Sequence, residues 1–127
     1  MNKIINTQNA PAPIGPYNQA VLAGNTLYIS GQIAINPETG ELVLNSIILE
    51  TKQVLMNLKA VLTEAGFEFT DIVKTSIFLS NMDFFATVNG VYAEYFDNAT
   101  APARETVAVS TLPKNVNVEI SAIAVKH

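Results

Sequence analysis

The chain has 127 residues, 49% of them hydrophobic and 14% charged, with a net charge of −4 and no cysteine. That length suits a single domain, residues 1–127, and the charged fraction lies well below the roughly 25% usual for soluble domains, so apolar surface is left over for an oligomer. The composition excludes disulfides, thiol nucleophiles and thiolate metal sites; the scattered basic residues argue against nucleic acid, and no segment has the apolar length of a signal peptide or membrane span, which points to the cytoplasm with an organelle left open.

Lys3-Ile4-Ile5 reads as a short first strand. Asn9 to Tyr17 carries three prolines and Gly15, which rules out regular structure. Tyr17 at its end favours an ordered loop that positions something over a loose tail. Ala20–Ala23 and Thr26–Ser30 flank Gly24-Asn25, a two-residue hairpin signal. Ser30-Gly31-Gln32 closes the second strand, and Asn36-Pro37-Glu38-Thr39-Gly40 is a turn.

Ile48, Thr51, Leu55, Leu58, Leu62 and Ala65, supported by Val54 and Val61, trace the helical period up to Gly66. The spacing predicts an amphipathic helix of about five turns. Asp71–Leu79 is strand-like. Ser80 and Asn81 are caps for a second helix whose face carries Phe85, Val88, Tyr92 and Tyr95, and Gly90 weakens it. Two strands follow, around a Leu112-Pro113-Lys114 loop. The order predicts an α+β fold, with both helices on one face of a sheet and the other face open.

The last two strands hold the awkward charges. Alternation places Val116, Val118, Ile120, Ala122 and Ala124 toward the helices, and Asn117, Glu119, Ser121, Ile123 and Val125 away from them. Glu119 is then either an edge carboxylate in water or the polar end of a subunit interface. Arg104, just after Pro102-Ala103, is either a surface ion-pair residue or a clamp whose planar fork grips a carboxylate. The only histidine is the terminal His127, so a His-based triad is not expected, and no metal cluster or phosphate loop appears. Any enzyme must work with Arg, Glu, Tyr, hydroxyls and backbone groups.

Taken together the blocks Asn9-Ala10-Pro11, Ile14-Gly15-Pro16-Tyr17, Ser30-Gly31-Gln32-Ile33, Asn36 to Gly40, Asp71 to Thr75, Phe85 to Asn89, Pro102-Ala103-Arg104, Leu112-Pro113-Lys114 and Val118-Glu119-Ile120 resemble the RidA (YjgF/YER057c/UK114) family of imine deaminases over the whole chain. The resemblance implies a chorismate-mutase-like (bacillus type) fold and a homotrimer with a central β-barrel and sites between subunits. It implies hydrolysis of 2-aminoacrylate and related 2-imino acids, released by PLP-dependent dehydratases, to 2-keto acids and ammonia without a cofactor. On that reading Arg104 holds the substrate carboxylate, and Glu119 and Tyr17 handle the attacking water. Ser30, Gly31 and the backbone near Thr106 line the pocket, and Asn89 comes from a neighbouring subunit. Glu105-Thr106 departs from the family's usual small residue and Cys. A carboxylate beside the clamp repels an anionic substrate unless alternation turns it away. Rival readings are an endoribonuclease or translation inhibitor, and a non-catalytic ligand-binding or chaperone-like trimer.

Overall fold

In the computed structural model, which describes residues 1–127, the helical period yields helix α1 over Ile47–Glu64. The Ser46 hydroxyl accepts from the Leu49 amide at 3.1 Å, satisfying one orphan donor of the first turn. The helix stops at Ala65, and Gly66 follows with φ of +79°, the left-handed conformation that glycine adopts without strain. Its buried stripe is Glu50, Thr51, Val54, Leu55, Asn57, Leu58, Val61 and Leu62. Ile48, expected on that stripe, is 47% exposed. It stands at the edge of the apolar arc, while Glu50 turns inward.

Six strands, β1 (Lys3–Ile5), β2 (Ala20–Ala23), β3 (Thr26–Gln32), β4 (Ile72–Leu79), β5 (Ala103–Ala108) and β6 (Val118–Val125), form one sheet in the order β1-β2-β3-β6-β4-β5. Only β4 and β5 are parallel, and a parallel pair needs a crossover. That crossover carries helix α2, Phe85–Tyr92, entered through a short turn at Met82–Phe84, where the Asn81 side chain accepts from the Asp83 amide at 2.8 Å. The helix ends at Tyr92, so Tyr95, expected on the same helical face, lies in the turn beyond it and packs on Phe69 with ring centroids 5.6 Å apart.

The α+β expectation holds, with both helices on one face. Along central β6, Val118, Ile120, Ala122 and Ala124 are buried under the helices, and the residues between them face the other way. That open face exposes Tyr28 and Val107. No helix is long and apolar enough to cross a membrane.

Glu50 ties α1 to the sheet. Its carboxylate is fully buried and accepts from the Asn117 and Val118 amides at 2.7 and 2.9 Å and from Asn117 Nδ2 at 3.0 Å. Glu50→Ala strands three donors, one buried at Val118 and two half-buried at Asn117, so it should lower unfolding free energy by about 3 kcal/mol in urea titration. A loss below about 1 kcal/mol would show that water replaces the carboxylate there.

Candidate functional site

The proline-rich segment is an ordered loop held from within by Gln19. The buried amide of Gln19 accepts from the Thr7 N–H at 2.6 Å and donates to the carbonyls of Thr7, Ala10 and Pro11 at 3.0, 3.2 and 2.8 Å. A loop poor in amide donors thus has its carbonyls satisfied by one side chain. Tyr17 leaves this loop half-exposed, its amide bonded to the Gly15 carbonyl at 2.8 Å.

Next to it the β3–β6 ladder is irregular. Ile29 pairs with Ala122, but Gln32 pairs with Ile120, so β3 carries one extra residue at Ser30-Gly31. The bulge keeps Ile29 and Gln32 both buried while Ser30 and Gly31 are not. The Ser30 hydroxyl donates to the Asn18 carbonyl at 2.7 Å, and its amide donates to the Gln19 carbonyl. A Cβ on Gly31 would lie 2.7 Å from Glu119 Cδ and Oε2, so the carboxyl group rests on bare backbone.

Tyr17, Ser30, Gly31 and Glu119 therefore line one groove of about 290 Å³, with Ile14 and Ile33 among its apolar walls. Its far rim is the Pro113-Lys114 loop, where Lys114 and Asn115 hold φ of 56° and 57°. Burial raises the pKa of Glu119. A carboxyl group that holds its proton more tightly is the better general base at neutral pH.

Arg104 is elsewhere. It pairs in register with Thr75 on β4, which pairs with Ala122 on β6, and both partners are buried under the helices. Glu119 pairs with Phe78, which pairs with Val107 on the open face. Two strands and three residues of register separate them, about 14 Å between Cα atoms, and they point to opposite faces. One chain cannot bring both to one small ligand. Asn89, expected to contribute to the pocket from a neighbouring subunit, lies beside Arg104 of its own chain: Arg104 Nη1 donates to Asn89 Oδ1 at 2.8 Å.

Thr106 lies on the same face two residues further along β5, and its hydroxyl is buried without a hydrogen-bond partner. Glu105, between them, points to the open face. There it accepts from the Ser76 hydroxyl and pairs with Lys74 at 2.9 Å. The Ser76 bond, then Lys74, hold its pKa below the ordinary carboxylate value. Within a chain it stands away from Arg104. Nowhere do three His, Cys, Asp or Glu side chains gather as a metal set would require.

Sequence reasoning did not single out Gln19, which organises the loop, or Glu50. The signal for Glu50 was present, since it lies four residues before Val54 on the buried stripe. Gln19 carried none, because its partners are loop carbonyls.

A family model described as Endoribonuclease L-PSP matches residues 7–126. A RutC family protein of Pyrococcus horikoshii is 53% identical over all of both chains. The 2-iminobutanoate/2-iminopropanoate deaminase of Escherichia coli is 50% identical over the full length of both. Among solved structures, a Rid family protein of unknown function from Yersinia pestis superposes with a TM-score of 0.96 at 51% identity, covering 99% of this chain and 100% of that one.

The environment of Glu119 sets a pH dependence. Its native pKa is raised, so the native state binds the proton more tightly than the unfolded chain, and stability falls as pH rises through the native value. Glu119→Gln should therefore be more stable than wild type above the carboxylate range, and the gain should vanish at lower pH where wild type is protonated. Thermal melts across that range would show it, and a pH-independent difference would contradict it.

Proposed function

The chain belongs to the Rid/YjgF family, described as endoribonuclease L-PSP, and from that premise we propose that it hydrolyses 2-imino acids to 2-keto acids and ammonia at a site shared between two copies. The observation that carries this reading is the division of the site residues between two faces. Arg104 and Asn89 lie on the helix side of edge strand β5, and Tyr17, Ser30, Gly31 and Glu119 lie in a groove on the other. A homotrimer with a head-to-tail interface brings the first set of one copy to the second set of the next, and repeats the contact around a closed ring. The exposed Tyr28 and Val107 of the open face and the low charge content supply the surface for it.

The chemistry follows from the groups. Arg104 receives the substrate carboxylate through two parallel charge-assisted hydrogen bonds. Water held by Glu119 attacks the imine carbon, giving one proton to the carboxylate as the C=N electron pair moves to nitrogen, and Glu119 passes that proton to the nitrogen. In the resulting carbinolamine Glu119 takes the hydroxyl proton and delivers it to the amine, so the C–N bond breaks, ammonia leaves and the C=O bond forms. The Tyr17 hydroxyl orients the water, and Ser30 and Gly31 shape the wall. The imine carbon is already electrophilic, so positioning and proton transfer carry most of the acceleration. Dehydratases that eliminate water from hydroxy-amino acids through PLP are the enzymes that release such imines.

The family's description also names ribonuclease activity. The net charge is −4, and two of the seven basic residues, Lys74 and Lys126, are engaged in ion pairs, which disfavours a phosphate backbone. RNA degradation by purified protein that survives Arg104→Ala would favour that second reading.

Complementation between copies tests the shared site. Arg104→Ala and Glu119→Gln should each reduce imine decay in a dehydratase-coupled assay to the uncatalysed rate. Mixed and refolded together in equal amounts, they should recover about a quarter of wild-type turnover, since that fraction of sites joins two intact halves. A mixture that stays inactive while exchanging subunits would mean that each chain carries its own site.

A further inference from the structure

Arg104 does not wave free in solvent. Helix α2 presents Phe85, Asn89 and Tyr92 to it, spaced as one stripe at i, i+4 and i+7. Asn89 Oδ1 takes one donor of the guanidinium, whose carbon lies 4.9 Å from the Tyr92 ring centroid and 5.8 Å from that of Phe85. A cation over an aromatic face is attracted by the ring quadrupole, and Arg also stacks its plane there.

The Tyr92 ring is itself immobilised. It is 5% exposed, stacks on Phe96 at a centroid distance of 4.4 Å, and shares a 2.8 Å hydrogen bond with the Thr75 hydroxyl. Thr75 is the register partner of Arg104 on β4, so the contacts Thr75–Tyr92–Arg104 return to the backbone pair they began from. Burial raises the Tyr92 pKa, against the Thr75 hydrogen bond and the Arg104 charge, and the phenol stays neutral.

A guanidinium has five donors in one plane. With one donor on Asn89 and one side toward the aromatic rings, its remaining edge is left for a ligand in a restricted orientation. We infer that Tyr92, held by Thr75, is a positioning residue that orients the Arg104 fork for bidentate capture of a planar carboxylate. The inference rests on the carboxylate-clamp reading above and adds a determinant of selectivity: a ligand lacking the carboxylate gains nothing from the cradle.

The test is binding of 2-oxobutanoate, a product-class ligand, by calorimetry on the full assembled protein. Arg104→Ala should lose binding. Tyr92→Leu should weaken it about 10-fold, and Tyr92→Phe, which keeps the ring but loses the Thr75 hydrogen bond, should weaken it to an intermediate degree, about 3-fold. The methyl ester of the same ligand should bind weakly and equally to wild type and Tyr92→Leu. Wild-type affinity in Tyr92→Leu alongside loss in Arg104→Ala would overturn the positioning role and leave the clamp standing. Unchanged affinity in Arg104→Ala would overturn the clamp and the inference with it. Equal weakening of acid and ester in Tyr92→Leu would reduce Tyr92 to a structural part and overturn the inference. If the leucine variant fails to fold, the wild-type protein still decides. The Arg104 Hδ and Nε–H resonances should be displaced by the aromatic ring current, and undisplaced signals would overturn the proposal.

Discussion

Glu50 brings a charged group into the seam between α1 and the sheet, where desolvating an ion costs several kcal/mol even after relaxation. Three charge-assisted hydrogen bonds from Asn117 and Val118 offset that cost. Asn117 in turn accepts from the Ser80 hydroxyl and amide at 2.8 and 3.0 Å. The carboxylate therefore pins together the first turn of α1, the start of β6 and the end of β4. Glu119 is the next residue but one along β6. Its place in the groove depends on a second glutamate buried on the opposite face of the same sheet.

The groove's other walls are held in the same manner, by buried amides that satisfy loop carbonyls. Asn57 reaches out of α1 to the carbonyls of Ile33 and Ile35 at 3.0 and 2.9 Å, and Gln19 gathers those of the proline-rich loop. Irregular backbone lines the groove without leaving orphaned polar groups beneath it. The half-buried carboxyl group of Glu119 thus sits between walls whose backbone is fixed from beneath, the kind of preorganised surrounding that proton transfer requires. Arg104 shows the same economy, with its orientation supplied by α2 rather than by its own strand.

Much of this was legible in the residues. The period from Thr51 to Leu62, the stop at Gly66 and the alternation of Val118, Ile120, Ala122 and Ala124 are local signals, and each element formed where they lie. The excess at Ile48 and Tyr95 arose because periodicity shows which residues are apolar but not where the sheet ends or the helix stops. The relation between Arg104 and Glu119 was not legible. Each strand's alternation can be read alone, but their mutual facing passes through β4, whose register with both is a tertiary fact. The bulge at Ser30-Gly31 was hidden likewise, since an extra residue is defined only by the partner strand.

The contact between Gly31 and Glu119 has a consequence for how this groove can diversify. A methyl group at position 31 would occupy the space of the Glu119 carboxyl, and the flexible end of that side chain would have to swing off the strand to admit it. The fold could absorb such a change at little cost, but the carboxyl group would leave the wall it rests on. The absence of a side chain at 31 therefore matters to where the carboxyl group stands and little to the stability of the sheet. Changes at Ile14 or Ile33 alter the apolar walls without displacing it. Variation in ligand size is therefore expected to accumulate at those walls, with position 31 kept bare wherever the carboxyl group is kept in place.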